Sequence, residues 1–177
     1  MMRYKHILNM ASIAGLLSYA LFNLYYYVLG FNPLGPMKFL SFGLISVIFY
    51  YAIKTHREIE LEGFGRFQQL FIAGLVFSFV YSSLNGMLVY LHGIAFDDSY
   101  VEFIKTETLQ QVGEYKDTMV SMLGKEAYQE MLDEYDKISP GKLAMGDFQS
   151  KSISATLLAL FFALILKRNP PVFNDGE

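Results

Sequence analysis

The sequence contains no cysteine, which removes disulfides, thiolate nucleophiles and cysteine-ligated zinc from consideration. Charge is also scarce. Asp, Glu, Lys and Arg make up 18% of the 177 residues, against roughly 25% in an ordinary soluble domain. The formal net charge of −3 offers no general basic surface for nucleic acid. Catalytic signatures are missing too. Gly63 and Gly65 are followed by Arg66-Phe67-Gln68, not by the Lys-Ser/Thr of a phosphate-binding loop, and no strand precedes them. No serine sits in a Gly-x-Ser-x-Gly context. The acidic run Glu126, Glu130, Asp133, Glu134 and Asp136 lacks the spacing of a calcium loop and reads as a solvated helix face. His6, His56 and His92 are far apart in sequence. A metal site would require His6, His56 and Glu58 to converge, and histidines at the level of lipid headgroups are the simpler account. Neither catalytic residues nor a cofactor or metal site is expected, and the chain does not read as an enzyme.

What the sequence does have is apolar length. Hydrophobic residues reach 53%, concentrated in four stretches at about residues 7–30, 37–53, 67–91 and 152–166. A helix needs about 20 residues to cross the hydrocarbon layer. The first and third stretches meet this alone. The second is flanked by Lys38 and Lys54 and the fourth by Lys151 and Lys167, whose stems can lie along apolar surface while the ammonium reaches the headgroups. Backbone groups cannot be satisfied by water in lipid, so the spans should be helices. The expected fold is all-α: a polytopic membrane protein, a single domain over residues 1–177, with four transmembrane helices in a bundle. The start MMRYKH resembles the positive region of a signal peptide. The run that follows is too long and ends in Tyr25-Tyr26-Tyr27 without a cleavage site, so it reads as a retained anchor with an aromatic belt.

Arg3, Lys5, Lys54, Arg57, Arg66, Lys167 and Arg168 fall on one side if both termini are cytoplasmic, which is the orientation expected of a multi-pass inner-membrane protein. The opposite side receives the turn at residues 30–36 and an extramembrane segment at about 94–151. That segment reads as two amphipathic helices. The first opens on a capping box, Ser99 to Glu102, and carries Val101, Ile104, Leu109, Val112, Met119 and Met122 near one face, with a kink at Gly113 and a stop at Gly124. The second runs from about Lys125 to Ile138.

Each span carries one small or polar stripe. The third has Gly74, Ser78, Ser82 and Asn85, and the first has Ser12, Gly15, Tyr19 and Asn23. The second has Gly43, Ser46 and Tyr50, and the fourth has Ala155, Ala159 and Ala163. Two readings of the third span's stripe stand. One is close helix packing, with Asn85 hydrogen-bonding across helices. The other is a pathway for an ion or small solute. No Asp, Glu, Lys or Arg falls within the span cores, which favours packing.

The element Gly63-x-x-Arg66-Phe67-Gln68-Gln69-x-Phe71-x-x-Gly74 resembles the signature of a bacterial membrane family known as domain of unknown function 4199. Ser139-Pro140 before the last span and Leu164-Ile-Leu-Lys-Arg-Asn-Pro170 after it resemble that family's closing pattern. The resemblance covers nearly the whole chain, mostly as layout. It implies a bacterial inner-membrane protein and carries no activity or site residue with it. The resulting expectation is a structural or regulatory membrane protein in contact with the bilayer. It would bind a protein partner or a second copy of itself through the helical segment and would not bind nucleic acid. An oligomeric channel using the Gly74 to Asn85 face is the alternative, and an enzyme acting on lipid comes third.

Overall fold

The computed structural model describes residues 4–36 and 38–170. It is built from helices, with no strand beyond one isolated bridge among these residues. Helix α1 (Lys5–Asn23) continues into a π-helical turn, Leu24–Val28. Helix α2 spans Lys38–Glu60, and α3 spans Phe67–Leu91 and runs on into a second π-helical turn, His92–Phe96. Three shorter helices follow: α4 (Ser99–Glu114), α5 (Lys116–Leu123) and α6 (Lys125–Asp136). The last helix, α7, runs over Pro140–Leu166. Four of these, α1, α2, α3 and α7, are long and apolar enough to cross a membrane. The chain is a multi-pass membrane protein with an all-α bundle. Arg3 and Met37, used in the readings of orientation and of the second span, lie outside the described residues.

Proline and glycine punctuate the helices. Pro33 and Pro36 lie in the turn between α1 and α2, and Gly30 there adopts a φ of 66°. Pro140 opens α7, where its missing N–H costs nothing, and the Ser139 hydroxyl caps the helix by accepting from Lys142 N at 3.3 Å. This start is a correction. The fourth helix begins twelve residues before the apolar stretch at Ser152, because Lys142, Asp147 and Lys151 are helical rather than part of a loop. The segment outside the four long helices is correspondingly shorter than residues 94–151. At the other boundary, α2 continues past Lys54 to Glu60.

The bundle is centred on α3. Its most extensive contact is with α7, followed by α1, which also packs along α2. Ala155, Ala159 and Ala163 of α7 are all buried, and they let the helices approach closely enough that a Cβ on Gly74 would lie 2.5 Å from that of Ala159. Around this seam Ile45, Phe49, Leu70, Phe77 and Ile7 fill the core. On α2 the inward face is Ser41, Ile45, Phe49, Ala52, Ile53 and His56. Gly43 points away from the bundle with nothing within 4 Å of a Cβ placed on it, so the stripe Gly43, Ser46, Tyr50 is not the packing face of this helix.

A second, smaller core roots the extramembrane arm. Tyr100 and Ile104 of α4 pack with Phe22, Val89 and Ala144. Beyond Val112 the arm leaves the bundle: α5 has no buried residue and α6 only Tyr128. The break between α4 and α5 falls at Tyr115, and Gly124, at φ 86°, separates α5 from α6. The capping box expected at Ser99 is replaced by Asp97, whose Oδ1 accepts from both the backbone N–H and the hydroxyl of Ser99. Glu134 on α6 accepts from Lys137 and Lys142 at 3.3 and 3.0 Å. These ammonium groups, Lys142 foremost, hold its carboxyl below the usual range and tie the arm to the start of α7. Lys105 and Asp136 pair at 3.1 Å across α4 and α6.

Candidate functional site: a polar seam ending in a buried carboxylate

The stripe on α3 follows from helical spacing: Gly74, Ser78, Ser82 and Asn85 are all buried on one face. Going along it, the Ser78 hydroxyl donates to Gly74 O at 2.8 Å, and Ser82 donates to Ser78 O at 2.6 Å and lies 3.2 Å from the Ser152 hydroxyl on α7. Asn85, fully buried, donates from Nδ2 to Asp147 Oδ2 at 2.7 Å. The same oxygen accepts from Lys151 Nζ at 2.7 Å, one turn further along α7. The seam therefore contains an ionisable pair that the apolar-stretch boundaries excluded. Asp147 is 7% exposed, and its two partners satisfy the charge that burial would otherwise make costly. The signal for this pair was present in sequence. An acid four residues before a lysine is the favourable orientation on a helix.

The depth of the pair follows from helix rise. Asp147 lies about 29 Å along α7 from Leu166, and Asn85 about 27 Å along α3 from Phe67, at 1.5 Å per residue. A hydrocarbon layer is about 30 Å thick, so the carboxylate sits near the boundary on the arm's side, not at mid-membrane.

The stripe on α1 divides. Ser12 donates to its own helix at Leu8 O, 2.9 Å away, and a Cβ on Gly15 would meet Leu84 Cδ2 at 3.0 Å. Asn23 Nδ2 donates to Tyr19 O at 2.8 Å. Tyr19 itself enters a chain that sequence reasoning missed. Its hydroxyl lies 2.8 Å from His92 Nδ1, while His92 Nε2 lies 3.1 Å from the Tyr27 hydroxyl, which donates to Asp97 Oδ2 at 2.8 Å. Asp97 is held below the usual carboxylate range, first by the Ser99 hydroxyl and then by Tyr27. It is the acceptor, so the Tyr27 proton points toward it. The Tyr27 oxygen then accepts from His92 Nε2–H, and Nδ1 accepts from Tyr19. This assigns the neutral tautomer and a single direction of donation from Tyr19 to Asp97. His92 is 2% exposed and packed against Phe22 and Tyr100 at 5.3 Å each. It is a structural centre at the root of the arm. The π-helical turns place Tyr27 and Asp97 there by adding a residue to the last turn of each helix.

At the opposite end, His56 stacks on Tyr4 with ring centroids 5.4 Å apart, and Glu58 pairs with Arg57. Among the described residues no group of three His, Asp, Glu or Cys side chains is arranged to hold a metal ion. The motif residues gather here too. Glu62 and Gly63 take positive φ values of 54° and 83°, and Gly63 N donates to Arg57 O at 3.0 Å, closing the end of α2. Gln69 Oε1 accepts from Arg66 N at 3.0 Å, capping α3. Phe67 and Phe71 stack with centroids 5.6 Å apart. Gln68 is exposed, and the cap is made by Gln69 alone. Gly65 and Arg168 exchange both backbone hydrogen bonds, each 2.9 Å, and Arg57 donates to Leu166 O at 2.8 Å. The glycine-aromatic-glutamine element and the terminal Lys-Arg-x-Pro, remote in sequence, are thus one latch.

Residues 9–168 match the profile of a protein family of unknown function, DUF4199. The chain belongs to that family. Comparison with curated proteins and with solved structures gave no match. The DUF4199 match takes in both halves of the latch, the Asn85–Asp147–Lys151 centre and the whole arm.

Proposed function

We propose that this DUF4199 protein is a non-enzymatic membrane anchor that presents the α4–α6 arm to a protein partner with a basic surface. The observation that carries this reading is the arm's exposure. Its root is fixed by Tyr100, Ile104 and the His92 chain, whereas Tyr115, Met122 and Leu123 at its far end are 61%, 77% and 53% exposed. Acidic residues outnumber lysines along α4 to α6, and charge complementarity would steer a basic partner. The start of α1, the end of α2, the start of α3 and the end of α7 share the end of the bundle away from the arm. That end carries Lys54, Arg57, Arg66, Lys167 and Arg168, which supports cytoplasmic termini and an arm on the far side of an inner membrane.

A pathway along α3 has less to support it, since Gly74 abuts Ala159 and the Ser78 and Ser82 hydroxyls turn onto their own backbone. The discriminating experiment places photo-crosslinking side chains at Met122, Tyr128 and Leu157 in native membranes. The anchor reading expects a discrete protein adduct from the arm positions that disappears with Glu126→Lys plus Glu130→Lys. Adducts only from Leu157, or none sensitive to charge, would count against it.

A further inference from the structure

Between α2 and α7, on the arm's side of the bundle, a cavity of about 330 Å³ is bordered by Lys38, Phe39, Phe42, Asp147, Lys151 and Ser154. A smaller cavity of about 170 Å³ adjoins it, sharing Lys38 and Asp147 and adding Lys142. The charges do not balance. Asp147 is already engaged by Asn85 and Lys151, and Lys142 is held by Glu134 of the arm. The Lys38 ammonium has no acceptor among the described residues. The cavities thus present an uncompensated positive charge, in a space at the lower end of the range for small-ligand sites, roughly 300–1,000 Å³.

Depth and wall chemistry narrow the occupant. Lys38 opens α2 and lies about 33 Å along the helix from Glu60, at the level where an apolar layer gives way to headgroups. Phe39 and Leu40 beside it are 70% and 66% exposed on the outer surface of the bundle. A soluble anion would gain from the lysine but not from the phenyl wall. An amphiphile with a negative head gains from both.

We propose that this cleft holds the phosphate headgroup of an anionic phospholipid, with Lys38 as the principal contact and the acyl chains descending over Phe39 and Phe42. Lys151 and Lys142 contribute field while keeping their own partners. The site is independent of the arm's partner, and its test does not involve the arm.

Native mass spectrometry of the full chain released from nanodiscs measures this directly, with phosphatidylglycerol and phosphatidylcholine of identical chains as probes. The wild-type protein should retain phosphatidylglycerol under activation that strips phosphatidylcholine. Lys38→Gln should lower the retained fraction about fivefold, the effect of one basic residue at an anionic surface. Millimolar inorganic phosphate should not displace the lipid. Equal retention of the two lipids would overturn the proposal, and so would an unchanged fraction in a folded Lys38→Gln protein. Displacement by inorganic phosphate would assign the cleft to a soluble anion and equally overturn the lipid site. The wild-type comparison requires no variant, so it decides the matter whatever the substitution does to folding.

Discussion

Asn85 on α3 and Asp147 on α7, separated by 62 positions in sequence, meet at 2.7 Å inside the bundle, and the same carboxylate oxygen receives Lys151. Removing the carboxylate leaves a largely buried ammonium with no counter-charge. Asp147→Ala should therefore cost about 3–5 kcal/mol, the range for breaking a buried pair. Asn85→Ala removes one hydrogen bond to a charged group and should cost about 1.5–3 kcal/mol. Unfolding of the purified protein in mixed micelles measures both. In the Asp147→Ala background the Asn85 substitution should lose most of its effect. Full additivity would mean that the two side chains do not act together.

The closest helix approach makes a sharper steric prediction. A Cβ on Gly74 would be 2.5 Å from Ala159 Cβ and 3.1 Å from its Cα, so the backbones must separate to admit one. Gly74→Val should destabilise the bundle by about 1–3 kcal/mol or more, whereas Gly43→Ala, on the outer face of α2, should be neutral or slightly stabilising. Thermal unfolding of the two variants side by side checks the contrast.

The latch at the terminus end is made by backbone, not by the arginine side chain at its tip. Arg168→Ala should leave the Gly65 bridge intact and change stability little. Arg168→Pro removes the N–H that donates to Gly65 O. Gly65→Val brings a side chain against Leu70, whose Cδ2 lies 2.8 Å from the Cβ position. Hydrogen exchange at Gly65 should quicken in the proline variant and remain slow in the alanine variant. Equal protection in both would show that the bridge carries no stability.

Asp97 gives the arm's root a pH dependence of known sign. Its carboxyl is held below its ordinary value of 3.8 by Ser99 and Tyr27, so the folded state favours the ionised form. The stability it contributes is present in full above about pH 4 and is lost as the pH falls through the depressed folded value. Protection of amide hydrogens in the first turns of α4, after correction for the intrinsic pH dependence of exchange, should fall on acidification below pH 4, and Asp97→Asn should abolish that fall.

The sequence made the four long helices legible because lipid demands apolar length, which a composition scan detects. It was less informative where helix and apolar stretch diverge. Lys142, Asp147 and Lys151 read as the edge of a loop, yet they lie on α7, and their partners Glu134 and Asn85 come from other elements. The same limit applies to His92. Its tyrosines are 65 and 73 positions away: Tyr19 reaches the ring from α1, and Tyr27 from the π-helical turn that follows it. Ser99 and Glu102 had the spacing of a capping box, but Asp97 is nearer the free backbone donor and takes it. Pairings of this kind are decided by tertiary placement, which local spacing does not encode.

The absence of cysteine permits the most direct test of the architecture, since every introduced thiol is unique. Single variants Met122→Cys, Glu62→Cys and Leu157→Cys report the arm, the terminus-side loop and the outer surface of α7. In sealed native vesicles, a membrane-impermeant maleimide should label Met122→Cys and Glu62→Cys from opposite sides and leave Leu157→Cys unlabelled from either. Labelling of Met122→Cys and Glu62→Cys from the same side, or ready labelling of Leu157→Cys from water, would contradict a bundle that crosses the membrane with its arm opposite its termini.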